Sequence, residues 1–488
     1  MSTRQDFASF AAYTPPPDAL PEAGASKFKR PWFPAHQSSN FVQGVAGPSS
    51  GSYQAGGVPT FGTSIGGGAG HVEDQMGVNE WETRFGWRAD IEAAAAYLGG
   101  PITALLLLIL ETSNDFVRFH ACSLLTALAA TVPITKYAGP VKPNSYIIKL
   151  KDDVLKGSHI TELLFQTDSK IVYDYEAAFH GYAVELVGRG LDFVRRSREV
   201  EYIVEDGIVG LDFEMLEDAG KMPPSVMPKD QVPISTRTDG AGVDIYSLDS
   251  GIQINHTCFG GRARWGKTFG GYADADNYGH GTHTAATAVG DTFGLATSAN
   301  VIAVKVLGDN GLGPWSDVIA GIDYVLTQSS ESGRPSIATL SLSGLAYPPI
   351  DAAVSNAIAK GIHFTVAAGN LGIDAIRLSP AHVKEANTIG AVDWNYARAG
   401  FSNFGPSVDG WALGVDVTSA WIGPTGYETK VLSGTSMATP LVAGVLAVAI
   451  GDYGNKLPAE LSKDLKDHAR PVVTGVPNGT TNLLVAQW

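Results

Sequence analysis

Four short motifs in the C-terminal half of the sequence carry side chains that suit nucleophilic chemistry at an acyl group. Asp249 follows an apolar run, His280 stands in GHGTHTA, Asn370 in AAGN and Ser436 in GTSMATP. A serine hydroxyl that attacks an amide needs a base within hydrogen-bond reach, a group that orients the base, and donors for the oxyanion. Ser436 also precedes an apolar run typical of a helix, whose N-terminus offers N–H groups and positive potential to an anion.

Each motif taken alone has a simpler structural explanation. Asp249-Ser250-Gly251 is typical of a turn, Gly369-Asn370 of a loop, and Thr435-Ser436 of a helix cap. His280 and His283 could share a metal, but no carboxylate in the spacing of a zinc protease follows them. We therefore interpret His283 as a packing or hydrogen-bonding residue. The catalytic interpretation depends on finding all four motifs in one chain, in the order Asp, His, Ser.

The elements that must position these groups alternate between apolar strands and helices. Short apolar strands separated by helices are typical of a parallel sheet covered on both faces, so we predict an α/β fold for residues 239–488. Sites in such sheets lie beyond the carboxyl ends of the strands, where Asp249 and Asn370 stand. The predicted strands are Gly242–Leu248, Val301–Leu307, Ile337–Leu342 and His363–Ala368, and the predicted helices are Thr282–Val289, Asp317–Ser329, Asp351–Lys360 and Ser436–Gly451.

Residues 145–212 have the pattern of a separate small domain. Strands and helices follow each other there in the order βαββαβ, which predicts an α+β sandwich of ferredoxin-like type. The segment 213–238 is rich in proline and predicts an exposed linker, which is the kind of segment that proteolysis requires. The predicted elements of the small domain are the strands at 145–150, 171–175, 179–187 and 200–204 and the helices at 157–167 and 191–198.

The first part of the chain has a different character. Residues 1–80 are rich in Pro, Gly, Ser and Ala and are predicted to be disordered. Residues 93–110 form an uncharged apolar run that is a candidate membrane span, although Gly99-Gly100-Pro101 interrupts it. Residues 122–133 have the apolar core and small-residue end of a signal peptide, with Ala127-Leu128-Ala129 as a candidate cleavage site.

Composition limits the classes of function. The net charge of −15 and the lack of a dense Lys/Arg cluster argue against nucleic-acid binding. A hydrophobic fraction of 44% supplies a sizeable core. The chain has only two cysteines, Cys122 and Cys258, too few for a zinc cluster or a disulfide framework. We expect Cys258 to be a small buried hydrophobic residue.

The motifs together resemble a known family. Residues from about 240 to 485 resemble the proteinase K branch of the subtilisin family. The stretches that carry this resemblance are GHGTHTA, VIAVKVLGDNG, FTVAAGN, FSNFGPSVD and LSGTSMATP. Residues 145–212 resemble the inhibitory propeptide of that family. The resemblance implies a self-processed serine endopeptidase that cuts peptides with broad specificity, favours apolar or aromatic residues before the cut, and requires no cofactor. The alternative is a catalytically impaired homologue that acts as a binding protein.

The resemblance also assigns roles to residues. It implies that Asp249 orients the imidazole, that His280 is general base and then general acid, that Ser436 is the nucleophile, and that Asn370 is an oxyanion donor. It further implies two substrate-pairing edges, a specificity pocket and a structural calcium site. These comprise Leu312-Gly313-Pro314 and Ser341-Leu342-Ser343 for the edges, Ala367, Ala368 and Gly369 for the pocket, and Asp409 with the carbonyls of Lys384 and Ala386 for calcium.

The upstream segments resemble other proteins. Residues 81–121 are similar to the start of an uncharacterised family of small multi-span membrane proteins, and 123–133 to the signal peptide of a secreted fungal protease. We therefore expect an extracellular protein after processing, with membrane contact only through residues 93–110 where these are retained. Our hypothesis for the unusual order is that two neighbouring coding regions are joined in this sequence.

Overall fold

A computed structural model describes residues 131–211 and 239–488. The predictions for residues 1–80, for the membrane-protein-like segment and for the linker lie outside the described residues, as does most of the signal-peptide-like segment.

Residues 131–211 form a sheet in the order β1-β5-β2-β4-β3. The main strands are antiparallel, and the short β1 adds in parallel to β5. Val132 N–H donates to the Arg195 carbonyl at 2.7 Å, so residues upstream of the predicted domain 145–212 also contact it. The elements are β1 (Ile134–Thr135), β2 (Val141–Leu150), α1 (Lys156–Gln166), β3 (Lys170–Tyr175), β4 (Gly181–Glu185), α2 (Arg189–Arg196) and β5 (Val200–Gly210).

The second domain is built on a nine-stranded sheet in the order β18-β19-β15-β14-β12-β10-β6-β8-β7. Eight of these strands are parallel, and β18 is antiparallel to β19. The strands of this sheet are β6 (Asp244–Asp249), β7 (Ala263–Thr268), β8 (Asn300–Lys305), β10 (Ser336–Leu340), β12 (His363–Ala367), β14 (Asn387–Val392), β15 (Gly410–Leu413), β18 (Arg470–Pro471) and β19 (Leu483–Leu484).

Shorter strands and five helices complete the described part of this domain. The strands outside the main sheet are β9 (Leu312–Pro314), β11 (Gly344–Leu345), β13 (Leu378–Ser379), β16 (Val417–Ala420) and β17 (Thr429–Leu432), and the helices are α3 (His280–Val289), α4 (Trp315–Ser332), α5 (Pro348–Ala359), α6 (Thr435–Tyr453) and α7 (Pro458–Asp467).

Alternate residues of each central strand face opposite cores, as strand geometry requires. In β8, Val301 and Ala303 pack with α3 and α6, whereas Ile302 and Val304 pack with α4 and α5. The predicted parallel sheet with helices on both faces is therefore confirmed. Among the described residues, α6 is the one helix long and apolar enough to cross a membrane, and it is buried in the first of these cores.

The small domain packs its sheet against α4 and α5. Its residues Ile147, Phe179 and Val204 join the same buried cluster as Ile319 and Val354 of those helices. The opposite face of its sheet is covered by its own helices α1 and α2.

Polar contacts reinforce this packing between the domains. The carboxylate of Asp206 accepts the N–H of Ser316 at 3.0 Å, and that of Asp323 accepts the N–H groups of Ala177 and Ala178 at 2.6 and 2.7 Å. Side chains of both domains thus fix how the small domain sits on the large one.

Candidate active site

Asp249 and His280 form a buried hydrogen-bonded pair. Asp249 ends β6, and its carboxylate oxygens lie 2.8 and 2.9 Å from His280 Nδ1. Ser250 N–H donates to Oδ1 at 2.7 Å, and the Thr284 hydroxyl to Oδ2 at 3.3 Å. Because a carboxylate only accepts, Nδ1 must carry the proton, so the lone pair of the neutral ring is on Nε2. His280 is therefore held in the tautomer that can act as a base.

Asp276, which the sequence analysis did not identify, caps the helix that carries His280. Its carboxylate accepts the N–H groups of Gly279 and Thr282 at 2.8 and 2.9 Å. Gly281 allows the helix to approach the loop after Asp249, because a side chain at 281 would collide with the carbonyl oxygen of Gly251. These two residues bring the imidazole to the carboxylate.

Ser436 lies in the first turn of α6, at the carboxyl edge of the sheet. Its hydroxyl donates to the carbonyl oxygen of Ser341 at 3.1 Å, just beyond the end of β10. Since β6 and β10 are neighbours in the sheet, Ser341 and Asp249 follow adjacent strands. Helix α6 approaches α3 closely at Gly444, where a Cβ would lie 2.9 Å from the carbonyl oxygen of Ala288.

Asn370 is fixed by the residue that precedes Ser436. The backbone N–H and the hydroxyl of Thr435 both donate to Asn370 Oδ1 at 2.8 Å. The amide oxygen is thereby occupied, and the orientation of Nδ2 is set. A Cβ placed on Gly434 would lie 3.4 Å from Asn370 Nδ2 and 3.7 Å from the Ser436 nitrogen. Two nitrogen atoms that carry hydrogen therefore lie beside Gly434.

The two predicted substrate edges hold the last strand of the small domain. β5 pairs antiparallel with β9, with Gly210 opposite Leu312 and Ile208 opposite Pro314. On its other side Gly210 forms an antiparallel bridge with Ser343. An extended chain therefore lies between the Leu312–Pro314 and Ser341–Ser343 edges, the latter beginning at the residue that contacts Ser436.

The predicted specificity-pocket residues follow β12 on the other side of β10. Ala367 ends β12, while Ala368 and Gly369 connect it to Asn370. Gly369 has φ of 95°, a left-handed conformation that favours glycine.

Two other residues singled out from the sequence are structural. His283 Nε2 lies 3.1 Å from the carbonyl oxygens of both Val417 and Lys430. Burial lowers the pKa of His283 to about 3, so the ring is neutral and serves as a buried donor. Cys258 is a buried free thiol whose pKa is raised to about 12 by burial. Neither side chain takes part in the site.

Comparison with known proteins agrees with this geometry. A family profile described as "Subtilase family" matches residues 240–483, and one described as "Peptidase inhibitor I9" matches residues 145–212. A cuticle-degrading protease of Metarhizium anisopliae is 36% identical over 393 residues, which cover 75% of this chain and 98% of that protein. The chain belongs to the subtilase family.

Other similar proteins carry related names. The subtilisin-like serine protease AsES of Sarocladium strictum is 36% identical to the subtilase over 355 residues, which cover 70% of this chain and 88% of that one. A crystal structure of a cold adapted subtilisin-like serine proteinase is 40% identical, with a TM-score of 0.49, and covers 51% of this chain and 90% of that one. The subtilase is a serine protease with an I9-type inhibitory propeptide, which is the small domain, and this part of the sequence prediction is confirmed.

The residues expected to hold calcium do not fit that ion in this subtilase. Asp409 Oδ1 lies 2.6 Å from the Lys466 ammonium, and Thr388 N–H donates to Oδ2 at 2.9 Å. Both carboxylate oxygens therefore have partners, and a cation beside Lys466 would be repelled. Elsewhere too, the described residues contain no group of three His, Cys, Asp or Glu side chains that could hold a metal.

We expect calcium to leave the Asp409 carboxylate unoccupied. The rise in melting temperature on adding millimolar calcium should be the same in the wild type and in Asp409→Asn, measured by calorimetry against a chelator control. Lys466→Met should lower the free energy of unfolding by about 1 kcal/mol, because the pair is partly exposed. A calcium response present in the wild type and lost in Asp409→Asn would contradict this assignment.

Proposed function

We propose that the subtilase cleaves peptide bonds through an acyl-enzyme on Ser436. His280 Nε2 takes the hydroxyl proton while Oγ bonds to the substrate carbonyl carbon, and Asp249 stabilises the imidazolium. His280 then returns the proton to the leaving amine, and a water repeats the sequence to release the acid. The observation that carries these roles is the bond from His280 Nδ1 to Asp249, which leaves Nε2 as the basic nitrogen.

Ser436 supplies the nucleophile, and Ser436 and Asn370 supply the oxyanion donors. In the described structure the Ser436 hydroxyl donates to the Ser341 carbonyl, so its hydrogen must turn away from that carbonyl before the imidazole can take it. The Ser436 N–H and Asn370 Nδ2 would then donate to the negative oxygen of the tetrahedral intermediate. No step of this mechanism requires a metal or a cofactor.

A serine-directed fluorophosphonate tests this function directly. The wild-type enzyme should be labelled at Ser436, as located by peptide mapping, and the Ser436→Ala variant should not be labelled. Ser433→Ala is the matched control, because the hydroxyl of this nearby buried serine accepts from Asp416 N–H and donates to the Asp416 carboxylate. Labelling of this variant should be unchanged. A folded, correctly processed wild-type protein that resists labelling would instead support the alternative of an impaired homologue that binds without cutting.

The strand pairing supports broad specificity. Most of the contact between β5 and the two edges is main-chain pairing, which tolerates many side chains. The walls offered by Ala367, Ala368 and Gly369 are small and apolar, which favours apolar or aromatic residues before the cut. The same edges serve peptide substrates and the propeptide, so the propeptide inhibits by occupying the substrate position.

The register also supports a position for the processing bond. In an antiparallel ladder, each step of one residue forward along one strand corresponds to one step backward along its partner. Gly210 faces Ser343, so a chain that kept this register for two further residues would reach Ser341 at position 212. The Ser341 carbonyl is the partner of the Ser436 hydroxyl. We therefore propose that self-processing cuts the peptide bond between positions 212 and 213, at the start of the predicted linker.

We propose an extracellular location for the mature enzyme. The signal-peptide-like residues 122–133 and the named fungal relatives support secretion. Anchoring through residues 93–110 is a second proposal, which fractionation of cells together with sequencing of the mature N-terminus would test.

The contact of Asp317 with the propeptide predicts how pH affects inhibition. Tyr173 OH donates to Asp317 Oδ1 at 2.9 Å, and Oδ2 has no hydrogen-bond partner among the described residues. Burial raises the pKa of Asp317 to about 7, opposed by the Tyr173 bond and by Lys142 and assisted by the Asp206 carboxylate. The bound state thus favours the protonated acid.

The sign of the effect follows from this raised pKa. We expect release of the propeptide to expose Asp317 to water, so that its pKa in the free enzyme is the ordinary carboxyl value of about 4. The contribution of Asp317 to binding is then complete below about pH 4 and is lost as pH rises through about 7. The dissociation constant of the cleaved propeptide should therefore rise at least about tenfold between pH 5 and pH 8. In Asp317→Asn, which imitates the neutral acid, this rise should be much smaller. Titrating the mature enzyme with propeptide across pH checks this, and equal slopes in the two proteins would contradict it.

A further inference from the structure

Asn403 is a fully buried side chain that contacts the segment carrying Asn370 on both sides. Its Oδ1 accepts the N–H groups of Leu371 and Ile373 at 3.1 and 3.0 Å, and its Nδ2 donates to the Ala368 carbonyl at 2.8 Å. Its backbone N–H donates to the Gly369 carbonyl at 2.9 Å. Four hydrogen bonds that involve Asn403 therefore hold the backbone on both sides of Asn370.

This segment of backbone lies outside the regular elements. Residues 368–373 follow β12 and belong to no helix or strand. Sheet pairing ends with Ala368, whose N–H donates to the Ile389 carbonyl at 3.0 Å. Beyond it, Gly369 N–H donates to the Thr435 hydroxyl at 3.1 Å and Gly372 N–H to the Phe401 carbonyl at 2.7 Å. The other buried backbone groups also need partners. An asparagine meets this need because one amide both accepts from two N–H groups and donates to a carbonyl.

We infer that Asn403 is a positioning residue for the reaction, which holds the backbone of residues 368–373 so that Asn370 presents its amide to the oxyanion. Thr435 sets the orientation of the Asn370 side chain, and Asn403 sets where the backbone of Asn370 lies. The inference rests on the proposed oxyanion role of Asn370. Oxyanion stabilisation depends on donors held about 3 Å from the position of the developing charge.

Substitution of Asn403 should lower kcat only in an enzyme that still has Asn370. A misplacement of about 1 Å in a catalytic group costs about a hundredfold in rate, so Asn403→Ala should lower kcat ten- to a hundredfold. Asn370→Ala should lower it by about 10² to 10³, a magnitude taken from subtilisin. In the Asn370→Ala background the further substitution of Asn403 should change kcat by less than about threefold, because the group that it positions is gone.

The test is a double-mutant cycle on the mature enzyme with a chromogenic peptide, recording kcat, KM and melting temperature. Asn387→Ala is the matched control, since this buried asparagine donates to the Phe364 carbonyl at 2.9 Å within the sheet. The control should lower the melting temperature and leave kcat within about twofold, an effect of one lost structural bond. If Asn403→Ala yields no folded enzyme, Asn403→Ser, which keeps a hydroxyl at the position, replaces it in the same cycle.

The outcomes distinguish a failure of the positioning role of Asn403 from a failure of the proposed oxyanion role of Asn370. Equal loss of kcat from Asn403 substitution in both backgrounds overturns the positioning role, as does a lowered melting temperature with unchanged kcat. Failure of both Asn403 variants to fold also overturns it, because the residue would then support the whole domain. If Asn370→Ala itself leaves kcat unchanged, the proposed oxyanion role is wrong instead.

Discussion

Replacing Ser436 by Ala should leave the propeptide and the catalytic domain on one uncut chain. The nucleophile is lost, while the contacts that hold β5 between the two substrate edges are untouched, because they use backbone groups of other residues. The wild-type enzyme should instead yield a mature chain that begins at position 213. N-terminal sequencing and intact mass of both proteins, expressed in parallel, measure the difference.

The same substitution should lower turnover of a peptide substrate by about 10⁶, a magnitude that comes from subtilisin. Ser433→Ala again serves as the control and should process normally. A Ser436→Ala protein that still cuts itself after residue 212 would assign the nucleophile elsewhere. A wild-type cut at another bond of the 213–238 linker would leave the nucleophile assignment intact but refute the register argument.

Local sequence signals were sufficient to single out the residues of the proposed mechanism. Asp249 ends a strand of apolar residues, and Ser436 begins an apolar helix, so each was marked by a neighbouring element that the sequence pattern predicts. The propeptide elements were predicted in the right order for the same reason. The strand β1, which lies upstream of the predicted start at residue 145, was not predicted, because it is only two residues long and is defined by pairing with β5.

The supporting groups could not be predicted, because their partners are distant in sequence. Asn403 contacts residues 368–373, and Lys466 reaches Asp409 from helix α7. Nothing near Lys466 in the sequence distinguishes it from a solvated lysine, and only the packing of α7 places its ammonium at the carboxylate. The sequence therefore could not show that Asp409, the expected calcium ligand, pairs with a lysine. A position matched to a family predicts the carboxylate but not which cation pairs with it.

Asp249→Asn should nearly abolish turnover while leaving the site almost unchanged in shape. The Ser250 N–H that donates to Oδ1 at 2.7 Å requires an acceptor there, so the amide oxygen of the new residue should take that place. Its NH₂ group then replaces Oδ2, 2.9 Å from His280 Nδ1, where the Thr284 hydroxyl can rotate to accept. The amide oxygen at the Oδ1 position stays 2.8 Å from Nδ1, but the NH₂ group beside it favours the tautomer in which Nδ1 accepts and the ring proton moves to Nε2.

With the proton on Nε2, His280 cannot take the proton of Ser436, so kcat should fall by about 10⁴, as the same change does in an unrelated serine protease of trypsin type. Asp244→Asn is the matched control. Asp244 begins the same strand and is as deeply buried, but its carboxylate pairs with Arg264 and Arg334. The control should lower the melting temperature and leave kcat within about threefold, since these ion pairs are structural. An Asp249→Asn enzyme that keeps kcat within about tenfold would show that the carboxylate does not set the tautomer of His280.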